Sequence, residues 1–311
     1  MSRRQFRRLS QVTTGLAALA LAVTACGASG SGAPEDPGGA PANPTSAAPS
    51  VAKDPALAAM VPTDIASDGK IVVGQDQSYP PNEFIDEQDK AVGMDIDLGN
   101  AIAAKLGLTM EYQNSAFDGI IPGLTSGKYE LAMSSFTINA DRLQQVDMVS
   151  YFSAGTSMAV LKGNPDGISI DDLCGKNVAV QKGTVQVEDL EKKSAECTGA
   201  GKPEITVTQF QNQTDVTLAL TAKRAQAMLA DSPVIDYAVK QTEGTLETAG
   251  APYDTAPYGI IVPKGKGDYA KAVQGALQAL IDDGTYTKIL EAWGVQGGGI
   301  PTAEVNPAPA G

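Results

Sequence analysis

The sequence predicts an α/β protein built from two similar sets of strands and helices, and three observations carry that expectation. From Lys70 onward, short apolar runs alternate with amphipathic stretches, the pattern of strands separated by helices. The same alternation restarts near Asn177, which suggests a second lobe. Helix-length stretches open on acidic residues or end on glycine.

In chain order, "KIVVGQ" reads as a strand. "MDIDLGNAIAAKLG" places Leu98, Ile102 and Leu106 on one helical face, with Asp95 and Asp97 in the first turn and Gly107 as the stop. "LTMEYQ" returns as a strand, "FDGIIPGLTSG" as a short helix and "YELAMS" as a strand. The second set runs "NVAVQ" strand, "TVQVEDLEKKSAEC" helix, "EITVTQF" strand, a helix near 213–223, "QAMLA" strand and a helix from Pro233. "YGIIV" is a last strand, followed by the helices "DYAKAVQGALQALIDDG" and "TYTKILEAWG". The tail 297–311, rich in glycine, proline and alanine, is expected to be unstructured.

Composition removes whole classes of function. The 311 residues contain no histidine, which excludes Ser-His-Asp and Cys-His nucleophile machinery and the commonest metal ligand. The formal charge is −13, from 23 basic and 36 acidic residues. Residues 1–26 hold four of the arginines and no acid, so without them 19 basic residues face 36 acidic ones, a net of −17. Such a chain repels phosphate backbones, and nucleic acid is excluded as a partner.

Residues 1–26 have a basic start, an apolar stretch of about 14 residues and small residues before Cys26, the layout of a signal peptide. "LAVTAC" resembles the bacterial lipobox, which implies cleavage ahead of Cys26 and a lipid on its thiol. "SRRQF" fits a twin-arginine export signal or a generic basic segment, and the export route stays open. Residues 27–65 are dominated by Gly, Ala, Ser and Pro and are expected to form a disordered tether spanning roughly 35 Å. Outside the cytoplasm Cys174 and Cys197 are expected to pair, closing a loop of about 24 residues, with half of a metal site as the alternative.

In open α/β sheets, ligands sit beyond the carboxyl ends of the strands. Those positions hold Tyr79, which can stack on a ligand or pack a turn, and Ser134, Ser135 and Thr137, followed by Arg142. Only two arginines remain after residue 26, and arginine grips a carboxylate through a fork that lysine lacks. The alternative for Arg142 is a surface ion pair. Gly183 and Thr184 open a helix whose amides favour an anion, unless Thr184 is an ordinary cap. Ser232 can cap the next helix with Pro233 in its first turn, which leaves Asp231 free to meet a cation. Together these groups suit an α-amino acid.

The run from "VGMDIDLGNAIAAKLG" through "FDGIIPGL" and "GKYELAMSSFTINADR" closely resembles the polar amino-acid-binding proteins of ABC importers, solute-binding protein family 3. The closing "DDGTYTKILEAWG" is also similar to that family's ending. The resemblance spans residues 66–296. It implies the type II periplasmic-binding-protein fold, in which two lobes close about a hinge. Lobe 1 is then discontinuous, 66–154 and 258–296, and lobe 2 is 155–257. By position it implies that Arg142 clamps the ligand carboxylate with amides at Thr137 and Val185. Asp231 holds the ammonium beside Ser135 and Thr137, Tyr79 and Phe117 enclose the side chain, and Thr184 lies in the same segment. Asp76 matches a position that touches the side chain in some relatives, unless it caps the following turn. Val185 departs from the smaller residues many relatives carry, which puts contacts from that segment in doubt.

The resemblance thus implies a lipid-anchored extracytoplasmic monomer that hands a polar amino acid to a membrane permease with its ATPase. No cofactor, metal or catalytic residue is expected. A few relatives became dehydratases on this fold, for which Asp76 and Glu83 are the nearby acids. A sensory lipoprotein would share every residue named.

Overall fold

A computed structural model describes residues 51–309; the signal segment, Cys26 and the tether up to Ser50 lie outside them. The described chain opens with two short helices, α1 (Pro55–Ala58) and α2 (Thr63–Ala66), so the last part of the expected tether is folded. Leu57, Val61 and Ile65 recur every four residues and pack on the core, a period that alanine-rich composition and Pro62 conceal. Asp54 caps α1, accepting from the amides of Ala56 (2.9 Å) and Leu57 (3.2 Å).

The first lobe continues with β1 (Lys70–Gln75) and a small ribbon of β2 (Ser78–Tyr79), β3 (Glu83–Ile85) and β4 (Ala91–Val92). Then come α3 (Met94–Leu106), β5 (Thr109–Asn114), α4 (Phe117–Thr125), β6 (Leu131–Ala132) and α5 (Ala140–Gln145). Gly107 ends α3 in the left-handed region at φ 73°, the stop its sequence announces. The chain crosses on β7 (Asp147–Leu161), a strand of 15 residues that apolar periodicity alone does not reveal, because it is buried almost throughout.

The second lobe holds β8 (Asn177–Gln181), α6 (Val185–Gly199), β9 (Thr206–Phe210), α7 (Gln213–Thr221), β10 (Ala227–Asp231), α8 (Ser232–Gln241) and β11 (Leu246–Thr248). The chain returns on β12 (Tyr253–Val262) to α9 (Tyr269–Asp282) and α10 (Thr285–Trp293), which pack on α3. The strand order is β5-β1-β6-β12-β7-β10-β8-β9, with β11 on β7, so β7 and β12 are the two strands shared by both halves. Their antiparallel register slips between Tyr253 and Ala256 and again between Tyr258 and Gly259, which bends the pair where the lobes meet.

Each lobe has its own apolar core. Val149, Tyr151 and Phe152 of β7 pack with Ile71, Leu98, Ile102 and Leu277. Further along the same strand, Met158 and Val160 pack with Val178, Val180, Leu190 and Leu229.

The tail is a second correction. Val305 forms a bridge with Val149, and Asn306 exchanges bonds with Met148: its amide donates to the carbonyl (2.7 Å), and its Oδ1 accepts from the amide (2.8 Å). An extended segment added to a strand needs backbone groups rather than apolar periodicity, so composition alone misleads. Cys174 and Cys197 are disulfide-bonded, their Cα atoms 5.6 Å apart, tying the start of the second lobe to the end of α6. Replacing both with serine is expected to lower the unfolding free energy by about 3 kcal/mol, read as a reduced urea midpoint.

Candidate functional site

Four strands end on the same cavity. Asp76 follows β1, Ser134 and Ser135 follow β6, Thr184 follows β8, and Asp231 closes β10. The cavity is small, and all nine residues the sequence nominates line it: Asp76, Tyr79, Phe117, Ser135, Thr137, Arg142, Thr184, Val185 and Asp231. Glu83, Ser134, Gln181 and Gln186 complete the wall.

Arg142 is 8 % exposed, which rules out the surface ion-pair alternative. Its Nη1 donates to the carbonyl of Thr137 (2.8 Å) and Nη2 to that of Gly183 (3.3 Å). Its guanidinium lies over the rings of Phe117 and Phe136, 5.5 and 5.3 Å from their centroids. Every ion pair among the described residues uses lysine, so no carboxylate neutralises Arg142. Burial accordingly pulls it down to about 10, although Glu188 and Asp231 favour its charge from a distance. Asn139 sets the approach by capping α5, its Oδ1 accepting from the Arg142 amide.

Asp231 sits on the second lobe. Its carboxylate accepts from Gln186 Nε2 (2.7 Å) and Tyr258 Oη (2.7 Å), and its amide donates to Tyr79 Oη (3.1 Å). Burial raises its carboxyl above the usual range against those donors. Helix α8 starts at Ser232 itself, one residue earlier than a Ser232 cap requires. Asp231 occupies the cap position yet makes no capping bond, its two carboxylate oxygens meeting Gln186 and Tyr258 instead. Thr184 likewise precedes α6 without capping it; its hydroxyl donates to the Gln181 carbonyl (2.8 Å), leaving the first amides of α6 open.

Asp76 does cap the following turn, accepting from the Ser78 amide (3.0 Å) and hydroxyl (2.6 Å). Its second oxygen accepts from the Phe117 amide (3.1 Å) and from Gln181 Nε2 across the cleft (2.8 Å). Other bonds also cross. Lys182 pairs with Asp118 (2.8 Å), Gln211 donates to Asp118 (2.8 Å), and the Gln213 amide donates to Ser78 Oγ (3.0 Å). Gly183, at φ 79°, lets the lobes meet: a Cβ there would fall 2.8 Å from Asp118 Cβ. The cleft is closed.

Sequence reasoning missed Gln181, Gln186 and Tyr258 as site residues and weighed Glu83 only as a catalytic acid. A glutamine ending a buried strand, as in "NVAVQ", is the one signal that pointed to Gln181. Glu83 is fully buried, and its carboxyl oxygens accept from Ser134 Oγ (3.0 Å) and Ser135 Oγ (3.1 Å). Ser135 holds a left-handed backbone at φ 53°, which sends its amide to Asp95 (3.2 Å) while its hydroxyl meets Glu83. Burial and the neighbouring acid raise Glu83 well above the carboxylate range, and burial pushes Asp95 up to about 7.

The geometry defines a class: a two-lobed protein whose lobes share a small cavity lined by polar and charged side chains. The chain matches the model of the bacterial extracellular solute-binding proteins, family 3, over residues 71–296, and belongs to that family. The arginine-binding protein ArgT of Corynebacterium glutamicum is 34% identical over 256 residues, 82% of this chain and 84% of the relative. Among solved structures, an ancestral arginine-binding protein bound to arginine is similar at 38% identity and TM-score 0.67, covering 72% of this chain and 98% of that one. The ancestral amino acid-binding protein AncCDT-1, a precursor of cyclohexadienyl dehydratase, is similar at 33% identity and TM-score 0.65, covering 74% and 97%. The fold is thus the expected type II one. Among the described residues no helix is long and apolar enough to cross a membrane, and no metal-holding cluster occurs.

The buried acids set a pH dependence of stability. A carboxyl raised in the folded state keeps a proton that the unfolded chain releases near pH 4, so the folded state is favoured at low pH and loses ground as pH rises. Between about pH 4 and the value near 7 for Asp95, this pair is expected to cost up to about 1.4 kcal/mol per pH unit for each proton retained. Glu83→Gln is expected to flatten that slope in urea unfolding measured from pH 5 to 8.

Proposed function

We propose that this protein captures a polar amino acid, foremost one with a cationic side chain such as arginine, and passes it to the permease and ATPase of an ABC importer. The observation that carries the reading is Arg142, a buried cation that forms no ion pair with any carboxylate among the described residues, in a cavity that also holds Asp231. An α-carboxylate answers Arg142 through a two-bond fork, joined by the open amides at Val185, and an α-ammonium answers Asp231. Ser135 and Thr137 stand beside them. Tyr79 and Phe117 enclose the side chain. The acidic wall at Asp76 and Glu83 favours a cationic end, in line with the similarity to ArgT and to an arginine-bound ancestral structure.

Closure then supplies specificity. Residues 66–154 and 258–296 form one moving body and 155–257 the other, with β7 and β12 as the hinge strands. The body is held outside the cell membrane by a lipid on Cys26 and works as a monomer. A dehydratase would need a protonated acid at the cavity wall, which Glu83 resembles. An intact clamp for both amino-acid charges argues against that chemistry, and product formation from prephenate-like substrates would overturn this view.

The test is thermal unfolding against the twenty amino acids plus cystine, ornithine and citrulline, since a bound native state melts higher. Upward shifts confined to a few polar amino acids are expected, and no shift from any of them would end the amino-acid reading. Arg142→Ala is expected to lose about 2 to 5 kcal/mol of binding in titration calorimetry. Unchanged affinity would remove Arg142 from the site.

A further inference from the structure

Glu83 and Asp95 form a buried acid pair that the capture of the ligand's backbone charges does not use. Both are completely shielded from solvent, on β3 and at the start of α3. One residue joins them: Ser135 offers its hydroxyl to Glu83 and its amide to Asp95. Tyr151 Oη donates to the same Asp95 oxygen (2.8 Å), while Asp95 Oδ1 is buried and has no donor. A buried carboxylate oxygen without a donor is costly. The Glu83 and Asp95 carboxyls lie within hydrogen-bond reach of each other, and a carboxylic O–H on Glu83 gives Asp95 a further donor, which two ionised carboxylates cannot do.

The surroundings provide no alternative. Asp76 faces Glu83 after β1, Tyr79 from β2 and Tyr151 from β7; Tyr112 on β5 and Asp97 on α3 flank Asp95. None of these is a cation. Arg142 is the cation among the lining residues, and its guanidinium is held by the Thr137 and Gly183 carbonyls and by two rings. Asp76 has four donors on its carboxylate and needs no proton. Glu83, unlike Asp95, lines the cavity.

We propose that Glu83 and Asp95 share one proton in the empty site and release it when a cationic side chain docks against Glu83. The step breaks the Glu83 O–H bond. Its proton leaves to solvent, and the ligand's cation replaces it as the partner of Glu83, whose carboxylate stands between the cation and Asp95. The raised carboxyls of the pair agree with a proton held at neutral pH. Capture of a cationic amino acid then strengthens as pH rises, whereas a neutral ligand of the same shape leaves the proton in place. This inference rests on the cationic-ligand reading above.

Titration calorimetry of the protein with arginine and with citrulline, near pH 7 in buffers of different ionisation enthalpy, tests it. Arginine is expected to release close to one proton and to gain up to about tenfold in affinity per pH unit below that point; citrulline is expected to do neither. Citrulline shares the backbone charges, so contributions from Asp231 and Arg142 cancel in the comparison. Glu83→Gln is expected to abolish the proton release and flatten the arginine profile, and Asp95→Asn to do the same should the first variant not fold. A purely structural role would instead weaken both ligands equally and leave the proton count unchanged, overturning the proposal. Arginine binding without proton exchange overturns this inference alone. Failure of arginine, lysine and ornithine to bind at all overturns it together with the cationic reading.

Discussion

A guanidinium buried without a carboxylate is the constraint on which the rest of this molecule depends. Carbonyls of Thr137 and Gly183 and two aromatic faces hold Arg142 in place, but they leave its charge uncompensated. Asp231 is the mirror case, an acid surrounded by neutral donors. Removing both charges from water is unfavourable unless opposite charges answer them. Supplying the opposite charges makes it favourable. The fold keeps the two groups on separate lobes, Arg142 on α5 and Asp231 at the end of β10.

Separation is achieved by chain path. Arg142 precedes the first crossing strand, and Asp231 belongs to β10, which pairs with that strand's far end through Asp231 and Thr156. Tyr258, on the returning strand, reaches Asp231 directly, so the hinge itself orients the acid. Gly183 permits the close approach that brings Lys182 to Asp118 at the cleft edge. That exposed pair adds little energy. Its place across the cleft makes it a marker of closure rather than its cause.

Most of the fold was legible because each lobe repeats strand, helix and glycine stop, and local periodicity reports such units directly. The strand β7 escaped because a strand buried along nearly all of its length has no alternation to read. The folded residues 51–66 and the tail escaped for the opposite reason, since composition resembling a linker outweighed the spacing of Leu57, Val61 and Ile65 and the pairing of Val305. At the site, the strand-end rule nominated Tyr79, Ser135, Thr137, Arg142, Thr184 and Asp231, the family resemblance added Asp76, Phe117 and Val185, and all nine line one cavity. Glu83 and Gln186 were not legible as partners of Asp95 and Asp231, because those contacts join segments remote in sequence. Nothing local in "YPPNEF" shows that its glutamate lies beside the first turn of α3.

Behind the closed cleft lie a cation and an anion with no ionic partner among the described residues, with Glu83 on the same cavity wall and Asp95 buried outside it. Each buried charge carries a desolvation penalty that opening relieves by readmitting water, which opposes the neutral bonds that cross the cleft. A zwitterion removes the first two penalties together, and a solute carrying only one charge removes one and leaves the other. The difference is several kcal/mol in a medium of low polarity, enough to decide which solutes populate the closed form. On the reading proposed above, selectivity arises less from the number of contacts made to the right ligand than from buried charges that a wrong ligand leaves unanswered.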